Sequence, residues 1–490
     1  MLSFDHSYAR LPTHFYARVA PTPVNAPQLI RLNHTLAAEL GLDVGALSGP
    51  DGVALLAGNR LPDDVQPIAM AYAGHQFGNF VPQLGDGRAV LLGELLDARG
   101  KRWDVQLKGA GRTPFSRGGD GRAALGPVLR EYLGSEAMAA LGIPTTRSLA
   151  ALRTGEAVLR DTPQPGGILV RAAAGHVRVG TFQYFARQNR PEAVQQLADY
   201  VIWRHYPELA DSERPYVGLL DEVVRRTADL VAQWLLVGFI HGVMNTDNVS
   251  VAGETIDYGP FGFLDHYDPR TVYSFIDRYG RYAYGQQPGI AQWNLDQFAQ
   301  CLLPLLASDL ETAKTRARES LERFVPRFEA RYHQGLLAKI GLPDGHDDDL
   351  ALGWDLLGRM AAQRADFTLT FRGLAELPRA HADADGPVRS LFEQPEAFDA
   401  WAAQWRQRLA QRGEDDAERR RAMRAVNPAV ILRNHLAENA VNAASEHGDF
   451  RLFEELLDVL GRPFDDHPDK AHLSRAPAAA DRVTTTFCGT

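Results

Sequence analysis

The hydrophobic and polar positions of residues 85–171 alternate as they do in β-strands. Two such runs, separated by a turn that contains Gly100, predict a β-hairpin, and three further runs predict later strands. A helix is predicted between Pro127 and Gly142, because Pro suits the first turn of a helix and Gly suits its end. The predicted strands are 88–96, 103–108, 148–152, 157–160 and 168–171.

The spacing of apolar residues becomes helical after about residue 185. A loop-rich stretch, 245–284, separates two early helices from a longer helical region. The predicted helical segments are 191–203, 219–243, 294–412 and 427–460. A small β-rich lobe before a large helical lobe is an α+β arrangement, and the cleft between the lobes is the expected place for a ligand.

The chain divides into four predicted parts. Residues 1–80 are punctuated by Pro and Gly and are expected to be an N-terminal extension that packs on the core. Residues 81–184 are the predicted N-lobe, and residues 185–462 are the predicted helical C-lobe with the catalytic and metal-binding loops. Residues 463–490, rich in Pro, Ala and Asp, are expected to be a mobile C-terminal tail that carries Cys488.

Composition excludes several classes of protein. With 45% hydrophobic and 23% charged residues among 490, the chain is neither disordered throughout nor collagen-like. A net charge of −9 argues against a general nucleic-acid-binding protein. Only Cys301 and Cys488 are present, which is too few for a disulfide framework and suits a reducing compartment. Without a signal-peptide pattern or an apolar run long enough to span a bilayer, we expect a cytoplasmic protein with no membrane contact.

The segment Gly85-Asp86-Gly87-Arg88 opens a predicted strand. Glycines at such a position let backbone N–H groups approach phosphate oxygens, and Arg88 adds a planar set of cationic donors. The alternative interpretation is an ordinary tight turn.

Lys108 ends a predicted strand, and Glu131 follows on the predicted helix. Protein kinases use a lysine on a strand and a glutamate on a helix in this order to hold nucleotide phosphates. The alternative is an exposed ion pair that contributes little.

Two further places offer contacts to an anion. The glycine-rich loop 116–122 contains Asp120 and Gly121 and leads towards a helix, whose N-terminus favours negative charge. Arg171 and Arg178 flank a glycine and could clamp one phosphate. A flexible surface loop and two solvated arginines are the alternatives.

The strongest motif begins at His241, directly after the apolar run 234–240. Asn248 and Asp257, the latter in an Asp-Tyr-Gly turn, supply oxygen ligands of the kind that Mg²⁺ prefers. The order of glycine loop, Lys, Glu, Asn and Asp matches a kinase active site. Kinases place the catalytic Asp about five residues before the Asn, and here that position is Val243, so the usual base for phosphoryl transfer is missing. Zinc chemistry is not expected, since neither His-Glu-x-x-His nor Cys-x-x-Cys occurs.

These motifs resemble the selenoprotein O family, called YdiU in bacteria, over almost the whole chain. The most specific segments are His-Gly-Val-Met-Asn-Thr-Asp-Asn at 241–248 and Ile-Asp-Tyr-Gly-Pro-Phe-Gly-Phe at 256–263. The other segments that carry the resemblance are 108–147, 280–295 and 427–449. The resemblance implies a pseudokinase with a protein-kinase-like bilobal fold and terminal extensions, which binds ATP in a flipped orientation and transfers AMP, or UMP from UTP, to protein hydroxyls.

The resemblance also implies roles for individual residues. Asp247 would be the general base, and Asn248 and Asp257 would hold Mg²⁺ or Mn²⁺. Glu131 is expected, from the kinase-like order of residues, to orient Lys108 through an ion pair. The implied nucleotide contacts are Gly85, Gly87, Arg88, Lys108, Asp120, Gly121, Arg171, Arg178 and Asp257. In AMP transfer the α-phosphorus is attacked and pyrophosphate leaves, so cations are expected around the outer phosphates.

The chain departs from the family at two places. The segment 273–277 reads Tyr-Ser-Phe-Ile-Asp where some relatives have Cys-Asn-His-Ser, and the tail ends in Cys-Gly-Thr in place of Cys-Ser-Ser or selenocysteine-Ser-Ser. A disulfide between that loop and the tail is therefore not expected. Cys488 is either an inert tail thiol or a redox residue.

The leading hypothesis is a metal-dependent protein adenylyltransferase that uses ATP and acts on Ser, Thr or Tyr hydroxyls. We expect a monomer that can modify itself and that binds no nucleic acid. The alternatives are a catalytically inactive nucleotide-binding scaffold and an atypical protein kinase.

Overall fold

A computed structural model describes residues 4–413 and 415–486. Helices and strands are mixed, and the strands concentrate in the first half, which confirms the α+β class. The strands are β1 Tyr16–Arg18, β2 Gln28–Leu32, β3 Ile68–Met70, β4 Gly74–Gln76, β5 Asn79–Val81, β6 Ala89–Leu96, β7 Arg102–Lys108, β8 Ala123–Ala124, β9 Arg147–Leu159, β10 Pro163–Ala173, β11 Phe239–Ile240 and β12 Gly262–Phe263.

Eight of these strands form the main sheet. Its order is β1-β3-β6-β7-β10-β9-β2, and β8 pairs with β10. Neighbouring strands are antiparallel, and the register places Lys108 of β7 opposite Leu169 and Gln106 opposite Arg171 of β10. Because cross-strand partners share a face and side chains two apart along a strand do too, Gln106, Lys108 and Arg171 project from the same face.

The two faces of the sheet are covered differently. One face, with Val90, Val105 and Val170, packs against the apolar side of the first three helices through residues such as Leu36 and Leu56. The opposite face packs against a long helix that precedes β9 and is continuous with the core of the helical region. Lys108 and Arg171 project from this second face.

Seventeen α-helices complete the fold in the described residues. They are α1 His34–Glu39, α2 Val44–Ser48, α3 Pro50–Leu56, α4 Leu125–Ala140, α5 Val179–Ala186, α6 Pro191–His205, α7 Pro215–Val237, α8 Gln287–Leu306, α9 Leu310–Leu321, α10 Phe324–Lys339, α11 Asp347–Ala362, α12 Phe367–Leu374, α13 Gly386–Arg389, α14 Pro395–Arg412, α15 Asp416–Val426, α16 Asn434–His447 and α17 Arg451–Leu460. No helix among them is long and apolar enough to cross a membrane.

The predicted hairpin is confirmed, since β6 and β7 pair antiparallel, and so are the predicted helices at 127–142 and 191–203 within two residues at either end. Two expectations were wrong in their boundaries. The helix predicted over 219–243 ends at Val237, because Gly238 adopts a left-handed conformation (φ 77°) and the chain then forms β11. The strands predicted at 148–152 and 157–160 are one continuous strand, β9, because β10 pairs with it over that length.

The described part of the C-terminal tail is anchored on the helical region. Arg433, fully buried, donates to the Ser474 carbonyl oxygen from Nη2 at 3.0 Å, and Leu473 is buried in the main core. Thr486 donates its N–H to the Tyr273 carbonyl oxygen at 2.7 Å. The tail therefore reaches the loop that follows the Asp-Tyr-Gly turn.

Candidate active site

Glu131 is the centre of a buried ionic cluster on the inner face of the sheet. Helix α4 directs the Glu131 carboxylate towards Lys108 of β7 and Arg171 of β10. Lys108 Nζ contacts one oxygen, Glu131 Oε2, and Arg171 Nε donates to the other, Oε1, at 2.7 Å. All three side chains are at most about a tenth exposed. The expected Lys–Glu pair is present, and it is buried and shared with a second cation.

Burial and charge oppose each other at Lys108. Burial lowers the pKa of Lys108, whereas the Glu131 carboxylate raises it. Arg171 also donates from Nη1 to Gln106 Oε1 at 3.2 Å, so Gln106 helps to fix its orientation. The cluster therefore holds two cations in set positions on one face of the sheet.

Asp257 forms ion pairs with both Arg171 and Arg178. Arg171 Nη2 lies 2.8 Å from Asp257 Oδ1, and Arg178 Nη1 lies 2.6 Å from Asp257 Oδ2. The backbone of Asp257 is in the left-handed region (φ 55°), which is strained for a residue other than glycine and is typical of functional sites. Burial alone would raise the pKa of Asp257, but the two guanidinium groups hold it well below its ordinary value.

Arg178 connects Asp257 to the turn that carries Asp247. It is the N-cap residue of α5, and its Nη1 also donates to the Asp247 carbonyl oxygen at 2.9 Å. Its guanidinium carbon lies 4.5 Å from the centre of the Tyr72 ring, which covers it. The position of Arg178 is therefore fixed on three sides.

Asp247 lies in a short 3-10 helix, Thr246–Asn248, beneath the β4–β5 hairpin. A Cβ atom at Gly74 would lie only 2.2 Å from Asp247 Oδ1, so the close approach requires glycine there. Gln76 Nε2 donates weakly to Oδ2 at 3.4 Å, and the buried Oδ1 has no hydrogen-bond partner among the described residues. Burial raises the pKa of Asp247 to about 6. Such a carboxylate is suited to accept a proton near neutral pH.

Asn248 offers an amide oxygen directly after Asp247 in the chain. Its Nδ2 donates to the Val243 carbonyl oxygen at 2.9 Å, which orients the amide and turns Oδ1 away from that carbonyl. Within the described ranges no group of three or more His, Cys, Asp or Glu side chains forms a metal site. The oxygen donors that the sequence assigns to a metal, the Asn248 amide and the Asp257 carboxylate, are of the kind that a hard cation accepts when its other ligands come from phosphates or water.

The glycine loop before β6 is built around a buried carboxylate. Asp86 accepts a hydrogen bond from the Met70 N–H at 3.0 Å, and Gly85 is in the left-handed region (φ 72°) with Phe115 against it. Arg88 is half-buried and its charge lowers the pKa of Lys108, although less than burial does. The N–H groups of Gly85 and Asp86 donate to the carbonyl oxygens of Tyr72 and Met70, and the loop places Arg88 close enough for its charge to act on Lys108.

Asp120 and Gly121 lie in a separate loop. Asp120 pairs with Arg160 at 2.9 Å and is 43% exposed on its side chain. A Cβ atom at Gly121 would lie 2.0 Å from the Gly111 carbonyl oxygen, so glycine is required where the two loop segments cross. Neither residue contacts the Glu131 cluster. The structure thus brings together Lys108, Glu131, Arg171, Arg178, Asp247 and Asp257, and leaves these two at a distance.

Four residues of the site were not found from the sequence: Tyr72, Gly74, Gln76 and Gln106. Gln106 could have been found, because it precedes Lys108 by two residues and therefore shares its face of β7. The other three belong to a segment whose contact with Asp247 is made only by the tertiary fold. Cys488 lies outside the described residues, whereas Cys301 is a free, buried cysteine on α8.

Comparisons with known proteins identify the family of the chain. The family model described as protein adenylyltransferase SelO matches residues 1–461. The protein nucleotidyltransferase YdiU of Alkalilimnicola ehrlichii is 60% identical over 487 residues, which cover 99% of this chain and 98% of the relative. Proteins of the same name from Rhodopseudomonas palustris and Methylorubrum extorquens are 60% and 59% identical, each over 99% of its own length and at least 99% of this chain.

The chain is therefore an enzyme of the nucleotidyltransferase class. More particularly, it belongs to the SelO family of protein adenylyltransferases, as the resemblance drawn from its motifs predicts.

Proposed function

We propose that the protein transfers AMP from ATP to Ser, Thr or Tyr hydroxyls of proteins, and that it can use UTP to transfer UMP. The observation that carries the proposal is the buried convergence of three cations and Asp257 beside the unpartnered carboxylate oxygen of Asp247. Phosphates need such cations, and a hydroxyl nucleophile needs such a base.

We also propose that the fold is kinase-like and bilobal, with residues 81–184 as the N-lobe and 185–462 as the C-lobe. The antiparallel sheet that carries Lys108, the helix that carries Glu131 and the following helical region support this division. Residues 1–80 would then be an extension that completes the N-lobe, since β1, β2 and β3 belong to the main sheet.

The cations would bind the triphosphate. Lys108, Arg171 and Arg178 lie on one side of the site with Glu131 and Asp257 between them, and Arg88 pairs with no carboxylate among the described residues. The two carboxylates hold the cations in place, so little rearrangement is needed when phosphates enter. Gly85 and Gly87 would shape the loop beside the phosphates, whereas Asp120 and Gly121 would act from a separate loop that does not contact the Glu131 cluster.

Asp247 would act as the general base. The acceptor hydroxyl oxygen forms a bond to the α-phosphorus, the bond from that phosphorus to the bridging oxygen breaks, and pyrophosphate leaves with the electron pair. The hydroxyl proton passes to Asp247, whose pKa of about 6 lets it be ionised at neutral pH and still accept a proton.

Asn248 and Asp257 would hold Mg²⁺ or Mn²⁺. Both side chains offer oxygen donors, and the orientation of Asn248 by the Val243 carbonyl leaves its Oδ1 available. When bound, such an ion supplies charge neutralisation to the phosphates. Asp257 would keep its arginine contacts through the oxygen lone pairs that the metal does not use.

We further propose a cytoplasmic monomer that does not bind nucleic acid. The net charge of −9 and the scarcity of cysteine support this proposal.

The role of Asp247 can be tested by substitution. Self-labelling by Asp247→Asn is expected to fall by on the order of a hundredfold or more, because the variant cannot accept the proton. ATP affinity, measured by calorimetry, is expected to stay near that of the parent. Asp268→Asn, which changes a carboxylate paired with Arg270, is the matched control and should label normally. Normal labelling by Asp247→Asn would remove Asp247 from the reaction.

A further inference from the structure

An exposed loop, residues 273–282, is connected to the turn of the proposed base and lies outside the ionic cluster of Glu131. It follows the Asp-Tyr-Gly turn and is held by hydrogen bonds within it. The buried Asp277 carboxylate accepts the N–H groups of Arg281 at 2.9 Å and Tyr282 at 2.8 Å. Thr486 of the tail fixes the start of the loop through the Tyr273 carbonyl oxygen. Hydrogen bonds therefore hold this loop at its start and across its turn.

Hydrogen bonds connect this loop to the turn of Asp247. Tyr282 donates its hydroxyl to Asn245 Oδ1 at 2.6 Å, and the Phe77 N–H donates to the same oxygen at 3.0 Å. Asn245 precedes Asp247 by two residues, and Gln76, next to Phe77, reaches the Asp247 carboxylate. The loop and the base are thus held to one another through the β4–β5 hairpin.

The loop exposes large apolar side chains. Ile276 is 63% exposed and Tyr279 is 99% exposed, the highest value among the large hydrophobic residues described. Single exposed hydrophobic residues need no special cause, whereas these two lie three residues apart on one loop and form a small apolar patch next to the turn of Asp247.

The same loop carries cations without acidic partners. Arg270, just before it, pairs with Asp268 at 3.1 Å. In contrast, neither Arg278 nor Arg281 forms an ion pair within the described residues, and Arg281 stacks on the Trp293 ring at 4.8 Å. In a chain of net charge −9, a surface with unpaired arginines attracts negatively charged partners. We call Ile276, Arg278, Tyr279 and Arg281 the acceptor platform.

We propose that the acceptor platform docks the protein substrate through an acidic segment that carries an apolar or aromatic residue close to the accepted hydroxyl. Arg278 and Arg281 would pair with the acidic side chains, and Ile276 and Tyr279 would contact the apolar one. The proposal rests on the proposed function, since the platform is placed to deliver a hydroxyl to Asp247.

Binding of short peptides tests the platform without requiring catalysis. The probe is a fluorescent peptide of aspartate residues around one serine and one phenylalanine, and its binding is followed by fluorescence anisotropy. We expect Arg278→Glu to weaken binding by about tenfold or more, because one favourable charge pair becomes a repulsion. Ile276→Ser with Tyr279→Ser is expected to weaken it by about fivefold. Arg451→Glu, an exposed arginine of α17 paired with Asp449, is the matched control.

Two comparisons separate docking at the platform from charge attraction elsewhere on the protein and from damage to the nucleotide site. A peptide with lysine in place of aspartate should bind less tightly to the parent, and ATP affinity should be the same in the parent and Arg278→Glu. Equal binding of the two peptides, or unchanged binding by Arg278→Glu, would overturn the proposal. If the parent binds the acidic peptide through the platform but labels no protein at all, the proposed function fails and the docking surface stands.

Discussion

Arg171 and Glu131 form a buried ion pair, with Arg171 Nε 2.7 Å from Glu131 Oε1, while Lys108 contacts the other carboxylate oxygen. A single acidic side chain therefore positions two of the cations that we assign to the phosphates. Arg171 extends the connection to Asp257 at 2.8 Å. A substitution of Glu131 should therefore disturb the contacts of Lys108 and Arg171 and, through Arg171, those of Asp257.

Glu131→Gln should release both cations. Lys108→Ala is expected to cost about 2–4 kcal/mol of transition-state stabilisation, as loss of a single electrostatic catalyst does. Glu131→Gln should cost at least as much, and the double variant should be little worse than the more damaging single one. Kinetics of AMP transfer by the four proteins measure this, and additive losses would mean that the residues act separately. Glu136→Gln, on the same helix and paired with Arg147, is the control.

The rate of transfer should depend on the protonation of Asp247. Burial raises its pKa to about 6, and the base acts only when ionised. Transfer at saturating ATP is therefore expected to fall as the pH is lowered from about 7.5 through about 6. A rate that stays constant from pH 7 to pH 5 would show that another group accepts the proton.

Asp247→Asn should stabilise the protein without nucleotide. A carboxylate whose folded-state pKa is raised favours folding most below its unfolded pKa of about 4, and that stability is lost as the pH rises through about 6. At pH 7 the amide removes this cost, so the free energy of unfolding should increase by up to about 3 kcal/mol. Urea unfolding at pH 7 measures the gain, which should vanish near pH 3.5. A loss of stability at pH 7 would contradict the described environment of Asp247.

The two cysteines should differ in reactivity. Cys301 is buried, donates to the Gln297 carbonyl oxygen at 3.2 Å, and has its pKa raised by burial to about 12, so it should not react in the folded protein. The Cys488→Ser variant retains only Cys301. It is therefore expected to react with maleimide only after it is unfolded. Its AMP transfer under reducing conditions should match the parent, because hydroxyl adenylylation needs no thiol. Rapid labelling of the native variant, measured by mass spectrometry, would show that Cys301 is accessible.

Much of the site could be predicted from local sequence. Lys108 lies at the end of a strand, Glu131 on the next helix and Asp257 in a recognisable turn, and each of these places follows from short-range patterns. The sharing of Glu131 by Arg171 could not be predicted, because it depends on the register of β7 against β10. The contact of Gly74 with Asp247 joins segments far apart in the chain, and no local pattern reveals it.

The boundaries of the elements were harder to predict than their kinds. The apolar pattern continues from α7 into β11, so only the left-handed conformation of Gly238 separates them. A glycine within an apolar run is compatible with either a helix interior or a helix end. In the folded protein Phe239 pairs with Phe263, which lies beyond the Asp-Tyr-Gly turn. This strand pairing ends the helix at Gly238.

The most direct measurement compares transfer from ATP labelled at the α-phosphate with transfer from ATP labelled at the γ-phosphate. The cluster around Glu131 holds the cations that we assign to the leaving phosphates, and Val243 stands where a kinase would have its base. We expect label from the α-phosphate on protein hydroxyls and none from the γ-phosphate, with release of pyrophosphate. Incorporation of the γ-label alone would contradict the proposed nucleotidyl transfer and would show that the protein is a kinase.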